Sequence, residues 1–248
     1  MRASRTKRQR QAPPSLAARL SGHVTLQIQP DGEIAAGFYG QSVTLGALSA
    51  RAATCAESLR VGLPLDAFGL GKTDTDQEIA LLVRRLARLG LLEYRLGRSR
   101  SNSDEVVIEP QVSSYWPRTP PLSDSETLVL SRFAYMRRRG NDLVLESPRS
   151  EALFRICAPK TAAALALLIT PQPVKKLRRP DNFPGIALLS LLVDCEILFK
   201  VDAAKDSGLR PTEGNNDLVL WDFHDLLFHA RSTEGRHANP LGGVCPYA

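Results

Sequence analysis

The stretch LVRRLARLGLL, Leu82–Leu92, decides the fold because LLSLLVDCEIL, Leu188–Leu198, repeats its apolar pattern at the same spacing. In both copies, apolar residues three and four apart predict a helix with one buried face, and two apolar residues after it predict a strand. Gly90 is a typical helix stop in the first copy. Thr75, with Glu78 three residues later, has the pattern of a capping box near the start of that helix.

The segments before each helix also agree. In the first copy, alternating strands at 23–28 and 33–39 flank a turn, a third strand lies at 43–45, and a helix covers 47–60. In the second copy the corresponding segments are strands at 133–136, 142–146 and 152–156, a helix at 159–168 and a helix at 186–194. This order predicts an α+β fold built from a tandem repeat of a small winged-helix-like unit.

Changes in composition divide the chain into segments. The predicted segments are a disordered basic tail (1–15), winged-helix-like module 1 (16–97), a linker (98–127), module 2 (128–202), a second linker (203–216) and a C-terminal segment (217–248). Val106–Ile108 is a possible edge strand within the first linker.

Composition and charge favour a protein of the cytoplasm. No run of 18 apolar residues is present, and no apolar segment follows the basic N-terminus, which argues against a membrane span and a secretory signal. The four cysteines are scattered without a CxxC pair, which favours reduced thiols. Five of the six net positive charges lie in the first ten residues, so the body is nearly neutral and a nucleic-acid partner is disfavoured.

Three possible sites have simpler explanations. GLGKTD, Gly69–Asp74, resembles half of a phosphate loop, but Asp66 stands where a complete loop needs glycine. Arg84, Arg85 and Arg88 share a helix face that could enter a DNA groove, yet acidic residues flank it and a solvated face is the better interpretation. His224, His229, His237 and Cys245 lack the spacing of a zinc site, and no metal is predicted.

RSTEGRH, Arg231–His237, is more informative. Two arginines bracket a hydroxyl, at Ser232, where a helical pattern breaks. Guanidinium and hydroxyl donors suit a phosphate. Cations at the end of a helix are an equally good explanation, because they offset the helix dipole. Chemistry alone leaves the two alternatives open.

Two longer motifs carry a family resemblance. LSRFAYMRRRGNDLVLESP, Leu130–Pro148, and LWDFHDLLFHARSTEGRHANPLGG, Leu220–Gly243, together resemble the SagB-type, ThcOx-like azoline dehydrogenases. These FMN enzymes oxidise thiazolines and oxazolines to azoles in ribosomally made peptides. The resemblance covers residues 16–243 and implies that winged-helix modules precede a nitroreductase-like flavin domain that begins with the short helix before Arg231.

The resemblance assigns roles to several residues. Arg231, Ser232 and Arg236 are implied to bind the FMN phosphate, whereas Thr233 replaces a second phosphate-binding arginine of the family. After Gly243 the sequence departs from the family pattern. We therefore expect a truncated or split member that is inactive alone, does not bind FMN tightly and carries no catalytic residue. A separately encoded flavin domain and a cyclodehydratase complex are implied as partners.

The alternative is a stand-alone module that binds the leader of a precursor peptide. The third strands of the two units, 43–45 and 153–156, are candidate open edges to which an extended peptide can add as a strand. The first is the better candidate, and Val43, Thr44 and Leu45 are the predicted peptide-binding residues. A winged-helix DNA binder is a weaker third hypothesis.

Overall fold

The computed structural model describes residues 14–65, 73–98, 104–113, 115–177, 185–201, 218 and 220–234. These residues form the predicted α+β fold. Most of the predicted tail, the GLGKTD loop except for its last two residues, the second linker and everything after Glu234 lie outside the described residues.

The first repeat begins with a strand and a three-stranded meander. Its elements are β1 (Pro14–Leu20), β2 (Val24–Ile28), β3 (Glu33–Phe38), β4 (Gln41–Ala47), α1 (Ala50–Glu57), β5 (Leu63–Pro64), α2 (Asp74–Arg88) and β6 (Leu92–Arg98). A 3-10 turn, Ser58–Arg60, extends α1. One further strand, β7 (Asp104–Pro110), follows before the second repeat.

The second repeat has the same order of elements. They are β8 (Thr127–Leu130), β9 (Tyr135–Arg139), β10 (Asp142–Glu146), β11 (Ala152–Ile156), α3 (Pro159–Ala166), β12 (Gln172–Pro173), α4 (Val174–Leu177), α5 (Ile186–Asp194) and β13 (Leu198–Val201). The last described helix, α6, covers Phe223–Ser232.

Strand pairing repeats as well. β1 lies between β5 and β6, and β8 lies between β12 and β13. β2, β3 and β4 form one antiparallel meander, and β9, β10 and β11 form the other. The opening strands β1 and β8 were not recognised from the sequence, although they hold the two ends of each repeat together.

β7 joins the two repeats into one sheet. It pairs with β6 on one side and β11 on the other, which gives a seven-stranded sheet in the order β5-β1-β6-β7-β11-β10-β9. The edge-strand prediction for Val106–Ile108 is therefore wrong, because these residues lie in a central strand. The predicted open edge at 153–156 is also wrong, since β11 has a neighbour on each side. The predicted linker 98–127 thus contains part of the sheet.

The helix ends follow the sequence signals with one shift. α2 begins with a capping box formed by Thr73 and Asp76, two residues before the predicted Thr75 and Glu78. Glu78 instead accepts hydrogen bonds from the backbone and hydroxyl of Ser49. Gly90, with a φ of 65°, ends the helix as predicted.

The second repeat ends its long helix in the same geometry without a glycine. In the first repeat the N–H of Leu91 donates to the Leu86 carbonyl at 2.9 Å, and in the second that of Ile197 donates to the Leu192 carbonyl at 2.9 Å. Glu196 takes the place of Gly90, with a φ of 55°. Both helices therefore close with a Schellman motif.

A single hydrophobic core serves both repeats. Its fully buried members include Ile34, Leu86 and Tyr94 from the first repeat and Phe154 and Leu192 from the second. α6 packs on a separate small cluster. No helix within the described residues is both long and apolar enough to span a membrane.

Candidate functional site

α6 carries the start of the predicted phosphate motif and packs against the second repeat. Its N-terminus is capped by Asp222. Leu226 and Leu218 are buried against Phe133, just before β9, and the ring of Phe223 meets Tyr135 edge-on at 4.6 Å between centroids. The apolar side chains of α6 thus have partners in this chain, with Phe228 left 75% exposed.

A buried carboxylate anchors the other end of α6. Glu146, at the end of β10, is only 4% exposed. It accepts hydrogen bonds from the Tyr135 hydroxyl at 2.7 Å and from Arg137 Nε at 2.8 Å. Arg231 Nη2 lies 3.5 Å from the second carboxylate oxygen. Burial, followed by the bond to Glu146, raises the pKa of Tyr135, so this hydroxyl remains a donor at neutral pH.

A small polar cleft opens beside this carboxylate, between α6 and the turn after β10. It is lined by Glu146, Arg231 and a set of smaller side chains, namely Gln111, Ser147, Pro148, Ser150, Leu227 and Ala230. The Ser147 hydroxyl is buried and has no hydrogen-bond partner in the described part of the chain. Ser150, in contrast, donates to the Ala152 carbonyl.

The described residues do not form a phosphate cradle. Arg231 points to Glu146, and the Ser232 hydroxyl donates to the Phe228 carbonyl at 2.7 Å within its own helix. Both lie at the carboxyl end of α6, where the helix dipole disfavours an anion. Arg236 lies outside the described residues. Arg231 and Ser232 therefore do not fit the phosphate of FMN in this arrangement.

The predicted peptide edge lies in the first repeat. β4 pairs with β3 and has no second neighbour among the described strands. Val43 is half-buried, Thr44 is exposed and Leu45 is buried in the core. The register shifts at Leu45, next to Gly46, and Arg85 of α2 donates to the Leu45 carbonyl. The structure thus places the three residues on one strand, with one carbonyl already engaged by α2.

The described part of the molecule gives no support to a metal site at the C-terminal histidines. The ring of His229 lies 5.2 Å from that of Trp221, and its Nε2 lies 3.8 Å from Glu234. Within the described ranges, no three His, Cys, Asp or Glu side chains converge as metal ligands would. His237 and Cys245 are not among the residues described.

Sequence reasoning missed two residues that shape these sites, Glu146 and Arg85. Glu146 ends the run LVLE, and a charged residue at the end of an apolar run normally indicates exposure, so the local pattern did not reveal that its carboxylate is buried. Arg85 appeared only as one member of a basic helix face. Its contact with Leu45 joins segments 40 residues apart, so local spacing could not reveal it.

A protein-family model matches a region in the second half of the chain. The family model described as cyanobactin oxidase ThcOx matches residues 128–238, which run from β8 through α6 and make up less than half of the chain. No curated protein matches the sequence. The matched region contains Glu146, Arg231 and the cleft between them. The match supports a ThcOx-like, SagB-type oxidase.

Proposed function

We propose that this chain serves an FMN-dependent dehydrogenase that oxidises azoline rings to azoles in ribosomally synthesised peptides. The observation that carries the proposal is the family match, which spans the whole second repeat together with α6. These elements also pack on one another through Phe133, Tyr135 and Glu146. The match therefore covers a set of elements that pack on one another rather than a short motif.

In the proposed enzyme, parts of the protein other than the described residues hold the flavin. Arg231 and Ser232 are engaged within the protein, and two phosphate contacts alone would give weak binding. We expect the purified chain to bind no FMN stoichiometrically. A fluorescence titration that gave sub-micromolar affinity would contradict this expectation.

Oxidation of the peptide can be tested in the organism that makes it. Each azoline that becomes an azole loses two hydrogen atoms, which mass spectrometry of the peptide product detects. We expect deletion of this gene to leave azolines unoxidised, and complementation by the intact gene to restore azoles. Equal amounts of azole in the deletion strain would overturn the proposal.

Leader binding without chemistry is a second candidate function, favoured by the side of β4 that no described strand pairs with. An extended leader that pairs with this edge gains backbone hydrogen bonds, and its ordering cost limits the affinity to roughly micromolar. The natural partner would be the leader of a precursor peptide encoded beside this chain.

The strand-addition mechanism predicts a contrast between two neighbouring substitutions. Successive N–H groups of an edge strand point alternately toward its partner and toward solvent. One of Val43→Pro and Thr44→Pro therefore removes an outward donor, and the other removes a donor to β3. The variant that keeps its melting temperature should lose leader binding in fluorescence anisotropy, whereas Val43→Thr should retain it. If the stable proline variant binds the leader as tightly as the unaltered chain, strand addition at β4 is excluded.

A further inference from the structure

The exposed face of α2 carries positive charge that the described part of the protein does not neutralise. Arg84, Arg85 and Arg88 are exposed, and none of them lies within ion-pair distance of an acidic side chain among the described residues. Leu81 on the same helix is 58% exposed. Arginines of the large sheet differ, because Arg19 and Arg155 both pair with Glu93. The α2 face is therefore available to an outside anion.

Two contacts fix how α2 runs past the open edge. Glu78 near its start binds Ser49, just after β4 ends, and Arg85 two turns later binds the Leu45 carbonyl within β4. The helix thus passes back along the strand toward its beginning. Arg88 lies about 4.5 Å further along the helix axis. This direction brings Arg88 toward the part of β4 that precedes Leu45.

Gly46 leaves room beside the strand for the guanidinium of Arg85. Its φ is 100°, and a Cβ built there would lie 2.8 Å from Arg85 Nη1. Because Arg85 already binds the Leu45 carbonyl, an added strand would pair with residues 41–44, whose outer side contacts no other strand in the described part of the chain. This is the section of the edge toward which Arg88 extends.

We infer that α2 selects an acidic segment in the extended peptide that pairs with β4. The inference rests on the proposed leader binding and deepens it: β4 supplies backbone hydrogen bonds, Arg84 and Arg88 pair with carboxylates, and Leu81 contacts an apolar side chain. Duplex DNA is the poorer occupant. The edge of β4 beside the arginines offers backbone hydrogen bonds that a peptide can use and a duplex cannot, and the contact of Arg85 with Leu45 leaves only two arginines of this face for phosphates.

The test uses the leader encoded beside this chain in two forms, one native and one with every Asp and Glu replaced by Asn and Gln. Fluorescence anisotropy at low salt should show that the native leader binds about tenfold more tightly than the amide form. The double variant Arg84→Gln, Arg88→Gln should bind both forms equally. The matched control Arg138→Gln, on the edge strand β9, should keep the full preference.

The outcomes separate the two proposals. Equal affinity of the two leaders for the unaltered chain, with binding still lost in the stable proline variant of β4, would overturn the acidic preference alone. Absence of binding by either leader would overturn leader recognition and its acidic preference together. Displacement of the leader by a short DNA duplex at physiological salt would make nucleic acid the occupant of the α2 face and overturn the inference. Unchanged circular dichroism of the arginine variants would show that these exposed substitutions leave the fold intact.

Discussion

Glu196 adopts a backbone conformation that suits glycine, with a φ of 55° where the first repeat has Gly90 at 65°. Side chains other than glycine are strained there by about 1–2 kcal/mol. Its ion pair with Arg149 joins two side chains that are both about 40% exposed, so it contributes little. The unfolded chain also gains freedom from a new glycine, which offsets part of the relief. We expect Glu196→Gly to raise the free energy of unfolding by roughly 0.5 kcal/mol in urea denaturation.

The reverse change in the first repeat is the control. Gly90→Ala places a Cβ at the same kind of position and should lower the free energy of unfolding by about 1 kcal/mol. Stabilisation by Gly90→Ala, or a clear loss of stability in Glu196→Gly, would contradict the equivalence of the two helix ends.

Cys195 differs from the other described cysteines in its environment. Its side chain is buried, and desolvation, the largest cause, raises the pKa of the thiol to about 12. Only the thiolate reacts with alkylating agents, so at pH 8 we expect iodoacetamide to modify Cys55, which is exposed, and to leave Cys195 intact in the folded protein.

Peptide mapping by mass spectrometry identifies the alkylated residues. In denaturant, where the thiol has an ordinary pKa, Cys195 should react at the rate of a free cysteine. Rapid alkylation of Cys195 under native conditions would show that α5 and the Tyr115 hydroxyl, 3.5 Å from its sulfur, do not protect it.

At the scale of elements, patterns with a local cause could be read from the sequence. α5 has the predicted bounds because both signals that define it are local: its apolar spacing, and Gly185 directly before its first residue. β7 was misjudged because its apolar run VVI, at residues 106–108, is short and lies in a segment rich in Ser, Pro and charge, although a run that is apolar on both faces suits a central strand. The capping box lies two residues before the predicted one. Glu78 fits the local pattern, but its carboxylate accepts a hydrogen bond from Ser49 in a distant segment instead.

In the candidate sites, too, features with a local cause were predicted and contacts between distant segments were not. The break in helical pattern at Arg231–Ser232 was predicted, and α6 ends there. The pairing of Arg231 with Glu146, 85 residues earlier, depends on how α6 packs and has no local signal. The roles of Arg231, Ser232, Arg236, Val43, Thr44 and Leu45 in binding stay predictions.

α6 has a hydrophobic cluster of its own, separate from the main core. Deleting residues 217–248 removes Leu218 and Leu226 from this cluster and exposes Phe133, whose side chain is otherwise buried. We expect calorimetry to show a decrease in melting temperature of only a few degrees, with the main transition still cooperative. Loss of the cooperative transition would show that α6 belongs to the core of the repeats.

At the scale of the molecule, the two repeats should unfold together. They share one core, and β7 contacts both, with Ile108 paired between Tyr94 of β6 and Phe154 of β11. Ile108 is fully buried, so Ile108→Ala should cost about 2–4 kcal/mol of stability. Hydrogen exchange should then show amides of α2 and α5 losing protection to a similar extent.

Leu167→Ala is a suitable comparison, because Leu167 is mostly exposed and its truncation should leave exchange unchanged in both helices. Faster exchange in α2 alone after Ile108→Ala would mean that the repeats are separate folding units, as the predicted linker at 98–127 implies.

The central position of β7 also sets a length scale for any peptide that the protein handles. Both repeats are hydrogen-bonded to this strand, so they cannot turn about a hinge between β6 and β11. The two repeats are therefore held at a fixed spacing across β7. Under the proposed function, a leader bound at β4 brings its azoline rings to the site of oxidation only if the peptide tether between them is long enough, and the protein then acts as a ruler. Peptides with a shortened tether should bind as tightly as before and escape oxidation at the rings nearest the leader.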